Sequence, residues 1–186
     1  MMTIWQSLIQ SKLDYCAQLW SPSDQAAINM LESTARNFTS NIQGLEGQDY
    51  WDRLSSLGIY SQERRRERSR IILVWKILQG LTKGYHLQES HSERRGRFVT
   101  VPSYCKNAPT AVRNAKEASF QVQGAKLFNV MPKHLRNSDG SVNTFVKDLD
   151  SWLETIPDQQ TIQARQRAAA SNSILDQVNY AEQQDN

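Results

Sequence analysis

The sequence predicts a mainly α-helical protein, a small helical bundle with a basic loop or short β-hairpin insertion and a disordered C-terminal tail. Three observations lead to this fold class. Apolar residues recur at three-, four- and seven-residue spacings in several segments of residues 1–157. Glycine, proline and basic residues replace that pattern over residues 82–116. Residues 158–186 are rich in Gln, Asn, Ser and Ala and carry few large apolar side chains, a composition typical of disordered segments.

The first predicted helix covers residues 3–20, where Ile4, Leu8, Tyr15 and Leu19 share one face. The second predicted helix begins near Pro22, which suits a first helical turn. Ser21 is its expected N-cap and Gly44 its expected end, and the apolar stripe between them steps by three and four residues. That stripe consists of Ile28, Leu31, Ala35, Phe38 and Ile42.

A short helix is predicted from Asp49 to a stop at Gly58, and a longer one from a cap at Ser61 to about Leu81. The longer helix has an unusual composition. Five arginines fall within seven positions of its first half, and an apolar run follows. Such a helix is expected to attach a positive surface to a hydrophobic core. Its arginines are Arg64, Arg65, Arg66, Arg68 and Arg70.

The remaining elements are predicted from shorter patterns. Phe98, Val99 and Val101 indicate an extended piece inside the basic loop. A helix over residues 119–131 is expected to end before Pro132, because proline does not continue a helix. Apolar spacing predicts a further helix over residues 142–153, and the tail is expected to form at most a transient helix around residues 174–180.

Composition limits the function. The chain has 186 residues and a net charge of +3, which permits an acidic or nucleic-acid partner without requiring one. Its two cysteines, Cys16 and Cys105, lie far apart, so no zinc site is expected. Neither a secretory signal nor an apolar run long enough to span a membrane is apparent. These features predict an intracellular protein, cytoplasmic or nuclear, with no membrane association.

No catalytic site, cofactor or metal is predicted. Asp148 and Asp150 are two apart on a predicted helix and therefore do not share the face that a shared metal would require. The three histidines, at positions 86, 91 and 134, fall in or beside loops without a partner pattern typical of catalysis.

The arginines allow two interpretations. They could neutralise phosphates, together with the basic run around residue 95. Alternatively they could form a solvated face, with intrahelical pairs between Glu63 or Glu67 and arginines three positions away. The candidate nucleic-acid-binding residues are Arg64, Arg65, Arg66, Arg68, Arg70, Arg94, Arg95 and Arg97.

Several blocks of the chain resemble, in order, the region that follows the polymerase core in jockey-like LINE-type (non-LTR) retrotransposon reverse transcriptases. Together they cover most of residues 8–158. The blocks are SKLDYCAQLWSP, NFTSNIQGL, DYWDRLSSLGIYSQERRRERSRIILVWKILQGL, RRGRFVTVP, SFQVQGAKLFNVMPKHLRN and TFVKDLDSWLETIPD.

The resemblance implies a thumb or post-thumb region of an RNA-directed DNA polymerase whose catalytic aspartates lie upstream of the matched part. This chain contains no Asp-Asp pair. The expected function is therefore non-catalytic contact with template RNA or target DNA, within or beside the remainder of a reverse transcriptase. Two alternatives remain open, a structural or protein-interaction helical module and a pseudogene relic without a selected role.

Overall fold

The computed structural model of the chain describes residues 2–22, 24–103, 107–159 and 172–184. It is mainly helical with one small antiparallel hairpin, as the sequence predicts. In the described part, no helix is both long and apolar enough to cross a bilayer. The helices are α1 (Met2–Ile4), α2 (Ser11–Asp14), α3 (Ala17–Trp20), α4 (Gln25–Ser40), α5 (Tyr50–Leu57), α6 (Gln62–Leu78), α7 (Thr110–Glu117), α8 (Phe120–Val130), α9 (Lys133–Arg136), α10 (Val142–Glu154) and α11 (Ile174–Gln184). The strands are β1 (Glu89–Ser92) and β2 (Gly96–Val99).

The N-terminal helix differs from the single helix predicted over residues 3–20. A π-helical stretch, Trp5–Gln10, joins α1 to α2, and the helix then breaks at Cys16, whose φ is +52°. That left-handed conformation is unfavourable for residues other than glycine and cannot continue a right-handed helix. Trp5 enters the interior, whereas the predicted apolar face is exposed. Its members are Ile4, Leu8, Tyr15 and Leu19.

The start of α4 also differs from the prediction. Asp24, rather than Ser21, is the N-cap, because its carboxylate accepts a hydrogen bond from the Ala27 N–H at 3.0 Å. The helix ends at Ser40, before Gly44.

The predicted limits of α5 are confirmed. The Asp49 carboxylate accepts hydrogen bonds from the N–H groups of Trp51 and Asp52, and Gly58 ends the helix with a φ of +62°. Local capping therefore determines where this short helix begins and where it ends.

Helix α6 is the central element of the fold. Its predicted cap is confirmed, because the Ser61 hydroxyl accepts a hydrogen bond from the Arg64 N–H at 3.1 Å. The apolar second half packs on α8, and the Trp75 ring stacks on Phe145 with 4.6 Å between ring centroids. A second, smaller core of Trp5, Ala35, Tyr50 and Leu54 lies among the N-terminal helices. The main core comprises Ile71, Val74, Trp75, Ile77, Val99, Phe120, Ala125, Leu127, Phe128, Met131, Leu135, Phe145, Leu149, Leu153, Ile156 and Ile174.

The basic segment contains a hairpin, one of the two forms predicted for it. Strand β1 pairs antiparallel with β2, and Ser90 lies opposite Phe98. The outer edge of β2 is occupied by side chains rather than by a third strand. The Asn129 amide both accepts from the Val99 N–H and donates to the Val99 carbonyl, each at 2.8 Å. At Arg97, the N–H donates to Asn137 Oδ1 at 2.8 Å and the carbonyl accepts from Arg136 at 2.9 Å.

Helix α7 follows the hairpin and was not predicted, because it buries none of its residues and so leaves no apolar stripe in the sequence. Helices α8 and α10 match the predicted positions and α8 ends before Pro132 as expected, whereas the short α9 that follows was not predicted.

The tail can be compared with its prediction only in part, since residues 160–171 and 185–186 lie outside the described residues. In residues 172–184 the expected transient helix is extended to the eleven residues of α11, which packs against α8. Ile174 is fully buried there, and its burial links this part of the tail to the main core.

Gly124 marks the closest approach of α8 to α6, and replacing it tests that packing. A Cβ at this position would lie 2.9 Å from Val74 Cγ2 and 3.2 Å from a ring carbon of Phe120. We expect Gly124→Ala to lower the free energy of unfolding by about 1–3 kcal/mol through overpacking, despite the higher helix propensity of alanine. Urea denaturation of the two proteins measures the change.

Gly140→Ala is the matched control, because a Cβ there would meet Thr144 only at an ordinary 3.5 Å. An equal effect of the two substitutions would contradict a tight α6–α8 contact.

Candidate nucleic-acid interface

Arg64 is completely buried and acts inside the fold. Its Nη1 donates to the carbonyls of Leu153 and Ile156 at 3.4 and 3.2 Å, and its Nη2 donates to the Pro157 carbonyl at 2.8 Å. Its Nε lies 3.8 Å from Asp158 Oδ1. The Leu153 carbonyl belongs to the last turn of α10 and the other two follow it directly, at the negative end of the helix dipole, which favours a cation. The guanidinium therefore joins the start of α6 to the end of α10.

Arg65 and Arg68 lie at the half-exposed side of α6 and are paired with carboxylates from other helices. Arg65 donates to Asp14 with Nη2 at 2.6 Å, and Arg68 forms a two-pronged pair with Asp150 at 2.5 and 2.7 Å. The hydrogen bonds that Arg68 donates to Asp150 raise the pKa of Arg68. Both guanidinium groups thus already have anionic partners within the chain.

Arg66 and Arg70 are also almost fully buried, with 4% and 7% of their surfaces exposed. Desolvation is the main cause that lowers the pKa of each. Arg70 donates to the Ser21 carbonyl at 3.3 Å. Arg66 Nη2 and Arg70 Nε have no hydrogen-bond partner among the described residues.

Buried carboxylates organise the other side of α6. Glu32 accepts hydrogen bonds from the N–H groups of Gln62 and Glu63 at 3.1 and 3.2 Å, and burial raises its pKa. It also accepts a hydrogen bond from the Tyr50 hydroxyl. A carboxylate from α4 therefore occupies the positive end of the α6 dipole.

Glu63 and Glu67 reach the segment that leads into α11. Glu63 accepts from the Asn172 N–H at 2.8 Å, while Glu67 accepts from the Ile174 N–H and the Ser173 hydroxyl, both at 2.6 Å. The first half of α6 is thus a charged segment that binds four other parts of the chain, α2, α4, α10 and residues 172–174.

These contacts correct the interpretation of the α6 arginines as one exposed positive face. Three of the five are buried and the other two are paired. In the described part of the chain, the ion pairs of these arginines are tertiary, with Asp14, Asp150 and Asp158, rather than the intrahelical pairs considered from the sequence.

The hairpin presents its cations differently. Arg94 and Arg95 lie in the turn between the strands and are exposed. Arg97 is half-buried and paired with Glu89 at 3.0 Å and Asp139 at 3.5 Å. The Arg95 guanidinium lies 5.2 Å above the Phe98 ring. Of the eight candidate arginines, Arg94 and Arg95 are therefore the ones that are exposed and form no ion pair with another described residue.

Helix α9 supports the turn, a role that sequence reasoning did not assign. Lys133 donates to the Glu93 carbonyl at 2.6 Å, and Gly96 adopts a φ of +75° against the Lys133 and Asn137 side chains. The exposed Lys133 lies next to the hairpin and adds to its positive charge. The basic run KHLR could have indicated this role. The contact was not predicted because the run lies about forty residues after the hairpin in the sequence.

Other candidate groups do not converge. In the described ranges, no three His, Cys, Asp or Glu side chains are arranged to hold a metal ion. Asp150 is occupied by Arg68, and Asp148 is exposed one half-turn away. No known protein family, curated protein or solved structure matches the chain.

Replacing Arg64 tests its structural role. Arg64→Met removes the donors for three carbonyls at the end of α10 and leaves Asp158 without this cation. We expect the free energy of unfolding to fall by about 3–5 kcal/mol. Arg65→Met makes the same change at the next residue. It should lower the free energy of unfolding by at most about 1 kcal/mol, because the ion pair of Arg65 with Asp14 is half-exposed. Thermal and urea denaturation measure both, and equal costs would argue against the buried junction.

The pH dependence of stability provides a second test. Desolvation, with repulsion from Glu63 as a further cause, raises the pKa of Glu67 from 4.5 to about 7. The folded chain then holds this proton more tightly than the unfolded chain, so stability decreases as pH rises through the interval between these values. Relative to Glu67→Gln, the wild type should lose on the order of 1–3 kcal/mol between pH 4.5 and 7.5. A difference between the two proteins that stays constant over this range in urea titrations would contradict the raised pKa.

Proposed function

We propose that the chain is a non-catalytic part of a non-LTR retrotransposon reverse transcriptase, from the region after the polymerase core, and that it contacts template RNA or target DNA. The exposed pair Arg94 and Arg95 is the observation that carries this function. The ordered succession of sequence blocks that resemble this family supports the assignment to a reverse transcriptase. These blocks contain no adjacent pair of aspartates that could serve as the catalytic carboxylates. The proposed role is therefore binding of nucleic acid rather than catalysis.

The hairpin suits phosphate contact because the backbone that carries Arg94 and Arg95 is held in place before binding. The turn is fixed to α9 by the Lys133–Glu93 hydrogen bond, and β2 is fixed by Asn129, Asn137 and Arg136. A cation on a fixed backbone loses less conformational freedom on binding than one on a free loop. Phosphate contacts of this kind contribute affinity and orientation without base specificity.

The α6 arginines then support the interface indirectly. Arg64 holds α10, while Arg65 and Arg68 hold α2 and α10 through carboxylates. A phosphate would have to displace Asp14 or Asp150 to reach Arg65 or Arg68. The proposed contact surface therefore consists of Arg94 and Arg95, with Lys133 beside them.

A protein-interaction module is the second candidate, and exposed apolar side chains in the N-terminal helices favour it. Ile4, Leu8, Tyr15 and Leu19 are each at least 60% exposed, and Met30 on α4 is 72% exposed. Apolar side chains that cluster at a surface commonly mark a site of protein contact. In this alternative, the α6 contacts stabilise a scaffold whose partner binds at the N-terminal helices.

Nucleic-acid binding measured against salt distinguishes the two candidates. We expect single-stranded RNA or DNA to bind with a negative salt dependence. In Arg94→Gln/Arg95→Gln, affinity should fall and the slope of log K against log salt should decrease by roughly 1.4–1.8, the value for two lost phosphate contacts. Fluorescence anisotropy with labelled oligonucleotides provides both quantities.

Lys12→Gln/Lys147→Gln is the matched control, because it removes two exposed charges from helices away from the hairpin. Equal losses in the two double variants would indicate a diffuse charge effect. Binding that does not respond to salt or to the hairpin substitutions would exclude the proposed interface and leave the protein-interaction candidate.

A further inference from the structure

A groove of about 500 Å³ lies between α5 and α10, beside the segment that joins α5 to α6. Its buried floor is formed by Leu54, which belongs to the smaller core, and by Leu153 and Ile156, which belong to the main core. The groove therefore borders both hydrophobic cores. Boundaries between packed units are common places for binding sites, and this volume is in their usual range.

The walls of the groove are largely apolar and can be reached from solvent. Trp51, Ile59 and Tyr60 are half-buried, and Pro157 is exposed. Neither the indole N–H of Trp51 nor the hydroxyl of Tyr60 has a hydrogen-bond partner among the described residues. Accessible aromatic side chains of this kind are typical anchors for a protein partner, because each presents an apolar body and a polar tip.

The charged side chains that line the groove are all carboxylates. Asp150 is paired with Arg68, and Asp158 lies 3.8 Å from the Nε of Arg64. Glu154 is exposed and forms no ion pair with another described residue. The groove therefore retains the negative charge of one carboxylate that no cation of the described chain neutralises.

The field of these carboxylates reaches the aromatic wall. Desolvation, with the negative charges of Asp150 and Glu154 as further causes, raises the pKa of the Tyr60 hydroxyl. Arg36 lies 5.9 Å from the centre of the Trp51 ring, but it does not line the groove. An aromatic wall and an unneutralised carboxylate thus meet in the same groove.

We infer that this groove binds an arginine side chain of a partner protein, together with an apolar side chain next to it in the partner. A guanidinium can pair with the Glu154 carboxylate and stack on an aromatic ring, while the apolar neighbour packs on Ile59 and Pro157. The same carboxylates repel an anionic chain such as a nucleic-acid backbone. The site therefore goes beyond the proposed nucleic-acid contact, since it lies on other elements and favours the opposite charge.

Peptide titration tests the site in the whole chain. The probe is the capped tripeptide acetyl-Leu-Arg-Leu-amide, added at constant ionic strength to the wild-type protein labelled with ¹⁵N. We expect the indole N–H resonance of Trp51 to shift and saturate, with a Kd on the order of 1 mM. Trp51→Phe assigns this resonance among those of the five tryptophans. A linear shift, or no shift, up to roughly 10 mM peptide would overturn the inference.

Two further peptides test the need for a cation. Acetyl-Leu-Gln-Leu-amide should bind at least roughly fivefold more weakly than the arginine peptide, because it can neither pair with Glu154 nor form a cation–π contact. Acetyl-Leu-Glu-Leu-amide should bind more weakly still, because its charge is repelled. Equal shifts with all three peptides would overturn the inference.

Glu154→Gln removes the unpaired carboxylate and should weaken binding of the arginine peptide by roughly three- to fivefold, as expected for one exposed ion pair. Asp148→Asn is the matched control, because it removes an exposed charge from the same helix and does not line the groove. Both side chains are exposed, so both variants are expected to fold. Equal losses in the two variants would indicate a diffuse charge effect and overturn the site.

Arg94→Gln/Arg95→Gln should bind the arginine peptide like the wild type even if it has lost nucleic acid, which separates this site from the hairpin contact. Loss of peptide binding in this variant would overturn the assignment to the groove. A Trp51 resonance that shifts on dilution without peptide would also overturn it, in favour of a second copy of the chain. An oligonucleotide that shifts this resonance as the peptide does would overturn it in favour of nucleic acid.

Discussion

The burial of Arg64 is the constraint on which the rest of the fold depends. A buried guanidinium is costly unless acceptors surround it, and here Nη1 and Nη2 donate to carbonyls in the last turn of α10 and just after it, while Nε lies 3.8 Å from Asp158 Oδ1. Asp158, at the same turn, accepts from the Ser61 N–H and hydroxyl at 2.7 and 2.8 Å. Arg64 of α6 therefore neutralises the negative end of α10, and Asp158, which follows α10, neutralises the positive end of α6. This exchange fixes the position of α6; α8 packs against α6, and the hairpin packs against α8 and α9.

Charge is used in this protein mainly for internal assembly. Carboxylates from α2, α4 and α10 meet the first half of α6, and the carboxylates of α6 bind residues 172–174 in return. An arginine-rich helix thus contributes to the fold as a core element normally does, with polar contacts in place of apolar ones. Among the eight candidate arginines, the exposed and unpaired positive charge is left to Arg94 and Arg95 in the hairpin turn.

The sequence was sufficient for elements that depend on local chemistry and insufficient for those that depend on distant contacts. The caps Ser61 and Asp49 and the stop at Gly58 were predicted because a cap acts within three residues. The break at Cys16 was missed because no glycine or proline marks it. Burial of the α6 arginines was missed because their partners lie 49 to 93 residues away in the chain, and composition alone does not indicate which charges meet.

The edge of β2 has a consequence for how the protein behaves in concentrated solution. An unpaired strand edge offers N–H and carbonyl groups to another chain and so promotes sheet extension and aggregation. In β2, the outward groups of Arg97 and Val99 are already bound by Asn129, Arg136 and Asn137. Two asparagines and an arginine thus occupy the hydrogen-bonding groups of this edge, and a strand of a second molecule cannot pair with it.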